Sequence, residues 1–135
     1  MQSDLKKGLP NIKIEMLAMQ GSWPPDYTKE RTIKITTRGR KTGRPHTVTI
    51  WFGVDENGRM FVSSLRNRDW VKNILANPEV EVTIKGVTRK MRAVKVESKE
   101  DKQLIRSIWR KKYGLMARIM RLPREDGISF ELRDV

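Results

Sequence analysis

Short apolar-alternating runs, separated by turn residues, recur along this 135-residue chain and restrict its fold more than any other feature. Side chains two apart on a strand share a face, so alternation marks a strand with one side buried. The pattern predicts strands over 32–37, 47–54, 59–65, 81–85, 88–97 and 128–132. In the second of these, Val48, Ile50, Phe52 and Val54 share one face, while Thr47, Thr49 and Trp51 share the other. Asp55, Glu56, Asn57 and Gly58 form a hairpin turn, because Asn and Gly tolerate positive φ. A second hairpin is expected around Gly86. Between strands, a short helix is predicted over 68–77 with Val71, Ile74 and Leu75 inward, stopped at Asn77-Pro78. A longer helix begins after Ser98, which forms a capping arrangement with Asp101. Its apolar stripe is Leu104, Ile105, Ile108 and Trp109, and Gly114 is a natural C-terminal cap. A further short helix over 115–122 ends at Pro123. Mostly antiparallel strands of this number close into a small barrel rather than leave exposed edges. The expectation is one domain over 1–135, mostly β with helices. Residues 1–25 would form an N-terminal helix or arm ending at Trp23-Pro24-Pro25.

Charge then narrows the choice of partner. The net charge is +13, and it is localised. Residues 31–46 carry six cations and no acid, residues 102–124 carry eight and no acid, and the remainder is close to neutral. A localised positive field concentrates an anionic partner. A heat-adapted charged surface would instead intersperse Glu with Lys. The chain contains no cysteine, which excludes disulfides, thiolate chemistry and cysteine-bound metal. No apolar run approaches the roughly 20 residues needed to cross a bilayer, and no signal-peptide apolar region is present, so a cytoplasmic location is expected.

The first basic block is a turn between two predicted strands, with Arg38, Arg40, Lys41 and Arg44 set around Gly39 and Gly43. Glycine frees the backbone to present N–H groups as an anion-binding concavity, and arginine adds bidentate donors for phosphate or carboxylate. It is not a nucleotide-triphosphate P-loop, because Lys41-Thr42 precede Gly43 and a strand follows rather than a helix. His46 is the only histidine, so a histidine metal cluster is excluded, and no clustered acids offer a carboxylate metal site. No Ser–His–acid set or carboxylate pair stands out, so no catalytic side chain is assigned; a cofactor would perform the chemistry. Ser63, Ser64, Arg66 and the start of the 68–77 helix form a second cluster, suited either to a phosphate or polyol chain or to an ordinary strand-to-helix turn. Trp51 and Trp70 could flank a flat ring or belong to the core. Lys111, Lys112 and Tyr113 could close over a ligand or end a solvated helix.

Two stretches carry a family resemblance. Residues 36–46 (Thr-Thr-Arg-Gly-Arg-Lys-Thr-Gly-Arg-Pro-His), followed by a strand bearing Trp51-Phe52, and residues 68–82 resemble the deazaflavin-dependent nitroreductase family. That family lies within the flavin and deazaflavin oxidoreductases, with the pyridoxamine-phosphate-oxidase-like proteins. The resemblance implies a six-stranded antiparallel split β-barrel, a homodimer, and a deazaflavin coenzyme (F-420), with FMN as the alternative. It also implies that Arg40, Lys41, Thr42 and Gly43 hold the cofactor's phosphate and acidic tail. His46, Val48, Thr49 and Ile50 would lie along its ring, and Ser63, Ser64, Arg66, Trp70 and Asn73 would complete the pocket. The chain departs from the family in having Leu65-Arg66-Asn67-Arg68 where relatives are glycine-rich, and Val71 where tyrosine is common. The implied activity is therefore an oxidoreductase that delivers hydride to a small organic acceptor, whether quinone-like, nitro or unsaturated.

Two other readings compete. The protein could carry a cofactor without turnover. It could also bind nucleic acid through its two basic blocks, which calls for stacking aromatics along a charged groove; only two tyrosines and three phenylalanines are available.

Overall fold

The computed structural model describes residues 22–135; the helix or arm expected over 1–25 lies outside the described residues except for its last four. After a 3-10 turn at Tyr27–Lys29 come β1 (Thr32–Arg38), β2 (Pro45–Trp51), β3 (Gly53–Val54), β4 (Met60–Ser64), α1 (Asp69–Ala76), β5 (Glu79–Ile84), β6 (Val87–Lys95), α2 (Lys99–Ile119) and β7 (Ile128–Asp134). All strand pairings are antiparallel, and the sheet order is β2-β1-β5-β6-β7-β4-β3.

The two edge strands of that sheet, β2 and β3, are consecutive in the chain and separated only by Phe52. One bent segment therefore pairs with β1 at one end of the sheet and β4 at the other, which closes it as a split barrel. The strand expected over 47–54 is thus two strands, and the count is seven rather than six. The cause lies at Phe52, which is fully buried. Its amide donates to Tyr113 Oη (3.1 Å), while its carbonyl accepts from Tyr113 Oη (2.7 Å) and Lys112 Nζ (3.0 Å). Side chains of α2 take the backbone groups that a continuous ladder would have used, and buried backbone groups must find some partner.

The alternation of β1 is as expected, with Ile33, Ile35 and Thr37 buried. Ile33 and Ile35 join Phe52, Val62, Val82 and the α1 side chains Trp70, Val71 and Ile74 in the larger core cluster. Leu75, expected inward, is 58% exposed; Trp70, one turn before Ile74 on the same face, is inward instead. A second cluster sits under α2, where Ile105, Trp109, Tyr113 and Ala117 cover Phe61. These recur every four residues, the spacing of one helix face. Ser98 Oγ accepts from the Asp101 amide (3.1 Å), as the capping pattern requires. The break expected at Gly114 is present: its non-helical backbone (φ 57°, ψ −130°) divides α2 at a kink into two helical pieces, as the two expected helices require. Gly53 lets α2 lie close to the barrel: a Cβ there would stand 2.3 Å from Ile108 Cγ2 and 2.9 Å from the Trp109 ring.

Candidate functional site

The basic turn joins β1 to β2 and is held as a compact unit. The Gly39 amide donates to the Arg44 carbonyl and the Gly43 amide to the Gly39 carbonyl, both at 2.8 Å. Arg38 Nη1 donates to the Gly43 carbonyl (2.9 Å), and the Arg44 amide to Thr42 Oγ1 (3.2 Å). Gly43 sits at φ 73°, a conformation in which a side chain would be strained.

The turn is tethered from below by α1. Asn73, only 3% exposed, accepts at Oδ1 from the Arg40 amide (3.1 Å) and from Arg40 Nη1 (2.9 Å). Its Nδ2 donates to Thr37 Oγ1 (3.0 Å), whose hydroxyl donates to the His46 carbonyl (3.4 Å). Arg40 also meets Asp69 at 3.4 Å. The Lys41 and Thr42 amides are exposed and find no acceptor among the described residues. Neither Arg38, Lys41 nor Arg44 meets a carboxylate among those residues. Fixed backbone donors with unneutralised cations form a cradle suited to phosphate and carboxylate oxygens.

Beside this cradle, Thr37 pairs with His46, Ile35 with Val48, and Ile33 with Ile50. His46, Val48 and Ile50 therefore form one column on the core side of β2. His46 is exposed, while Val48 and Ile50 are half-buried against the core, leaving an apolar lip next to the cations. Thr49 is exposed on the opposite face, where neighbouring Thr36 and Thr47 share a hydroxyl hydrogen bond (2.7 Å). A cleft of about 250 Å³ opens at the root of the turn beside Thr37, Arg38 and Pro45, but Glu79 and Glu81 on its wall disfavour an anionic ligand.

The other residues singled out in the sequence are dispersed. Ser63 and Ser64, adjacent on β4, point to opposite faces, and Ser63 Oγ is held by Ser129 Oγ (2.6 Å). Arg66 borders a small polar cleft with Lys95, Lys102 and Arg106, so it belongs with the second basic block. Trp70 is 4% exposed and tilts against Phe130 in the core, which makes it a packing residue rather than a wall for a ligand. Asn73 is the turn's tether.

A cluster that sequence reasoning left between ligand lid and solvated helix end turns out to be structural. Tyr113 stacks on Trp51 with ring centroids 3.9 Å apart and planes within 9°, and its hydroxyl contacts the Arg31 carbonyl (2.7 Å) as well as Phe52. Burial pushes the Tyr113 phenol up to about 12. Burial likewise brings the Lys112 ammonium down to about 8, although Glu30 opposes the shift. Lys112 Nζ also lies 3.6 Å from the centre of the Phe52 ring. Lys111 alone remains a solvated side chain. Across the molecule, Arg59 binds Asp101 through two hydrogen bonds (3.0 and 2.9 Å) and Glu131 through two more (both 3.1 Å). Hydrogen bonds to Arg59 hold both carboxyls below their ordinary range. No signal along the chain marks this pairing, whose members lie 42 and 72 residues apart.

The sheet closed by one bent segment, with a tethered cationic turn beside an apolar lip, is a split-barrel fold. Residues 18–125 match the family model for F420H(2)-dependent quinone reductase, and the chain belongs to that family. Solved structures share the fold at low identity. HutZ, the heme storage protein of Vibrio cholerae, is 20% identical with a TM-score of 0.67, over 94% of this chain and 89% of its own. The F420-H2 dependent reductase FDR-A is 20% identical with a TM-score of 0.59, over 77% and 95%. Atu2129 of Agrobacterium tumefaciens, of unknown function, is 18% identical with a TM-score of 0.67, over 84% of this chain; the match spans 56% of that longer protein.

Proposed function

We propose that the protein binds the reduced deazaflavin coenzyme with its phosphate and acidic tail on the Arg40–Gly43 turn and its ring along His46, Val48 and Ile50. There it reduces a small organic acceptor, a quinone-like compound first and nitro or unsaturated compounds next. The observation that carries this reading is the tether: Asn73 holds Arg40 by two hydrogen bonds, so the cradle exists before a ligand arrives. Preorganised donors lose little freedom on binding, which raises affinity for a fitting anion.

When bound, the reduced coenzyme supplies a hydride to the acceptor, which takes up a proton to complete the two-electron reduction. The chain's own residues bind and orient. Lys41 and Arg44 neutralise the anionic tail, the Lys41 and Thr42 amides cap its oxygens, and Val48 and Ile50 present an apolar bed from which water is displaced. FMN, which also carries a phosphate, is the alternative ligand of the same cradle. A homodimer, implied by the resemblance, and a cytoplasmic location, expected from the sequence, belong to the same proposal; among the described residues, no helix is long and apolar enough to cross a membrane.

Anaerobic mixing of the protein with reduced deazaflavin and a water-soluble quinone tests turnover. Protein-dependent reoxidation of the coenzyme, proportional to acceptor, is the expected result. Tight binding with no reoxidation by any acceptor would instead establish a carrier without turnover.

A further inference from the structure

The chain leaves α2 through an arginine held in a conformation that disfavours side chains. The Met120 amide donates to the Met116 carbonyl (3.0 Å) and the Leu122 amide to the Ala117 carbonyl (2.8 Å), with Arg121 between them at φ 54°. Many helices end on such a left-handed residue, and glycine commonly fills the place because a Cβ is disfavoured there. Here the side chain that takes it lines a groove of about 690 Å³, between α2 and the returning segment 121–126. Strain kept at the wall of a cavity points to work done by that side chain. The groove is apolar at Ile119 (70% exposed), Met120 (54%) and Leu122, and cationic at Arg110, Arg118 and Arg121. Those three arginines meet no carboxylate among the described residues. The acids at its rim are already engaged, Glu125 with Arg106 (3.8 Å) and Asp126 with Arg124 (3.0 Å).

We propose that this groove binds an acidic amphipathic helix of another protein, with its apolar side chains on Ile119, Met120 and Leu122 and its carboxylates on Arg110, Arg118 and Arg121. A helix seats its apolar face in a cleft of this kind, and guanidinium forks match carboxylates with paired hydrogen bonds. Charge and shape select the occupant. A second copy of the chain would bring arginines against arginines, since each copy carries +13. Residues 1–21 of the same chain hold three lysines against one aspartate and one glutamate, so they offer no net negative charge. A nucleic-acid backbone would satisfy the arginines but leave Ile119 and Met120 without an apolar partner. Binding of this kind needs no bound coenzyme.

The test is fluorescence anisotropy of the full-length protein with a labelled peptide of about five helical turns, leucines at helical spacing along one face and glutamates on the rest. A second peptide of identical composition has its leucines scattered so that no apolar face forms. The striped peptide is expected to bind about tenfold more tightly than the scattered one, and less tightly as salt rises. Ile119→Ser, which leaves every charge in place, and Arg118→Gln are each expected to lower its affinity by about tenfold. Both positions are exposed, so an unchanged thermal melt accompanies the loss. Arg121→Gly discriminates most sharply, because it relieves the left-handed backbone while removing a groove cation. Its melting temperature is expected to hold or rise while affinity for the striped peptide falls by about tenfold. Equal binding of the two peptides would overturn the proposal, since net charge alone would then account for attachment. So would failure of the wild type to bind the striped peptide, or an affinity that Arg121→Gly leaves unchanged.

Discussion

At Asn73 a single buried carboxamide joins three segments, accepting twice from Arg40 and donating to Thr37. Asn73→Ala leaves a buried threonine hydroxyl without its donor and frees the turn. It is expected to cost about 1–3 kcal/mol in denaturant unfolding and to weaken coenzyme affinity as well. Asp69→Asn removes only a 3.4 Å contact to an exposed carboxylate, and stability should change by less than about 1 kcal/mol. The cations and glycines of the turn are legible in the sequence because they are adjacent there. The tether is not, since Arg40 and Asn73 lie 33 residues apart and an asparagine on a short helix carries no distinguishing pattern. Tyr113 was equally opaque: its hydroxyl serves backbone groups of residues 61 and 82 positions away. Tyr113 and Lys112 also set the alkaline behaviour. Folding holds the Lys112 amine near 8 against 10.5 when unfolded, so the unfolded chain binds the extra proton between those values and stability rises with pH across that window. Tyr113 acts in the opposite direction between 10 and about 12, where the unfolded phenol ionises first. Unfolding free energies measured from pH 8 to 10 should therefore climb in the wild type, and Lys112→Met should remove the climb.

Strands and helices were placed by periodicity to within a few residues, and the capped start of α2 and the stop at Asn77 follow from local chemistry. The break at Phe52 was hidden because alternation continues through it; the bend is imposed by Tyr113 and Lys112 reaching from another element. Contact between α2 and β3 makes a specific demand on Gly53. Gly53→Ala would drive a methyl into a stiff β-branched side chain and a buried ring, and is expected to destabilise by about 1–3 kcal/mol in a thermal or denaturant melt. The join between the start of α2 and the β4–β7 pair beneath it is ionic. Hydrogen bonds from Arg59 make the Asp101 and Glu131 carboxyls more acidic in the folded state, so as pH falls below about 4 the unfolded chain takes up protons first and this stabilisation is lost. Arg59→Leu should lower stability at neutral pH by about 1–3 kcal/mol, because Glu131 keeps only Arg133 as a partner. The acid limb of the stability curve should become shallower in that variant.

For the whole molecule, barrel closure through one bent segment brings the first basic block to one end of the sheet and fixes it on α1. Arginines of the second block lie along α2, and Arg31 of the first block meets that block at its middle, over the Tyr113 ring. Arg66, grouped by sequence proximity with the serines of β4, is found beside Lys95 and Lys102 instead. Family membership points to the redox class, and the turn is the proposed means of holding an anionic coenzyme. The most direct test is a fluorescence titration of oxidised deazaflavin coenzyme, with FMN in parallel at the same ionic strength, into the wild type and Arg40→Gln with Lys41→Gln. Loss of two charge-assisted contacts predicts a fall in deazaflavin affinity of about a hundredfold with the fold intact. Undiminished affinity for both cofactors in the doubly neutralised protein would contradict the account.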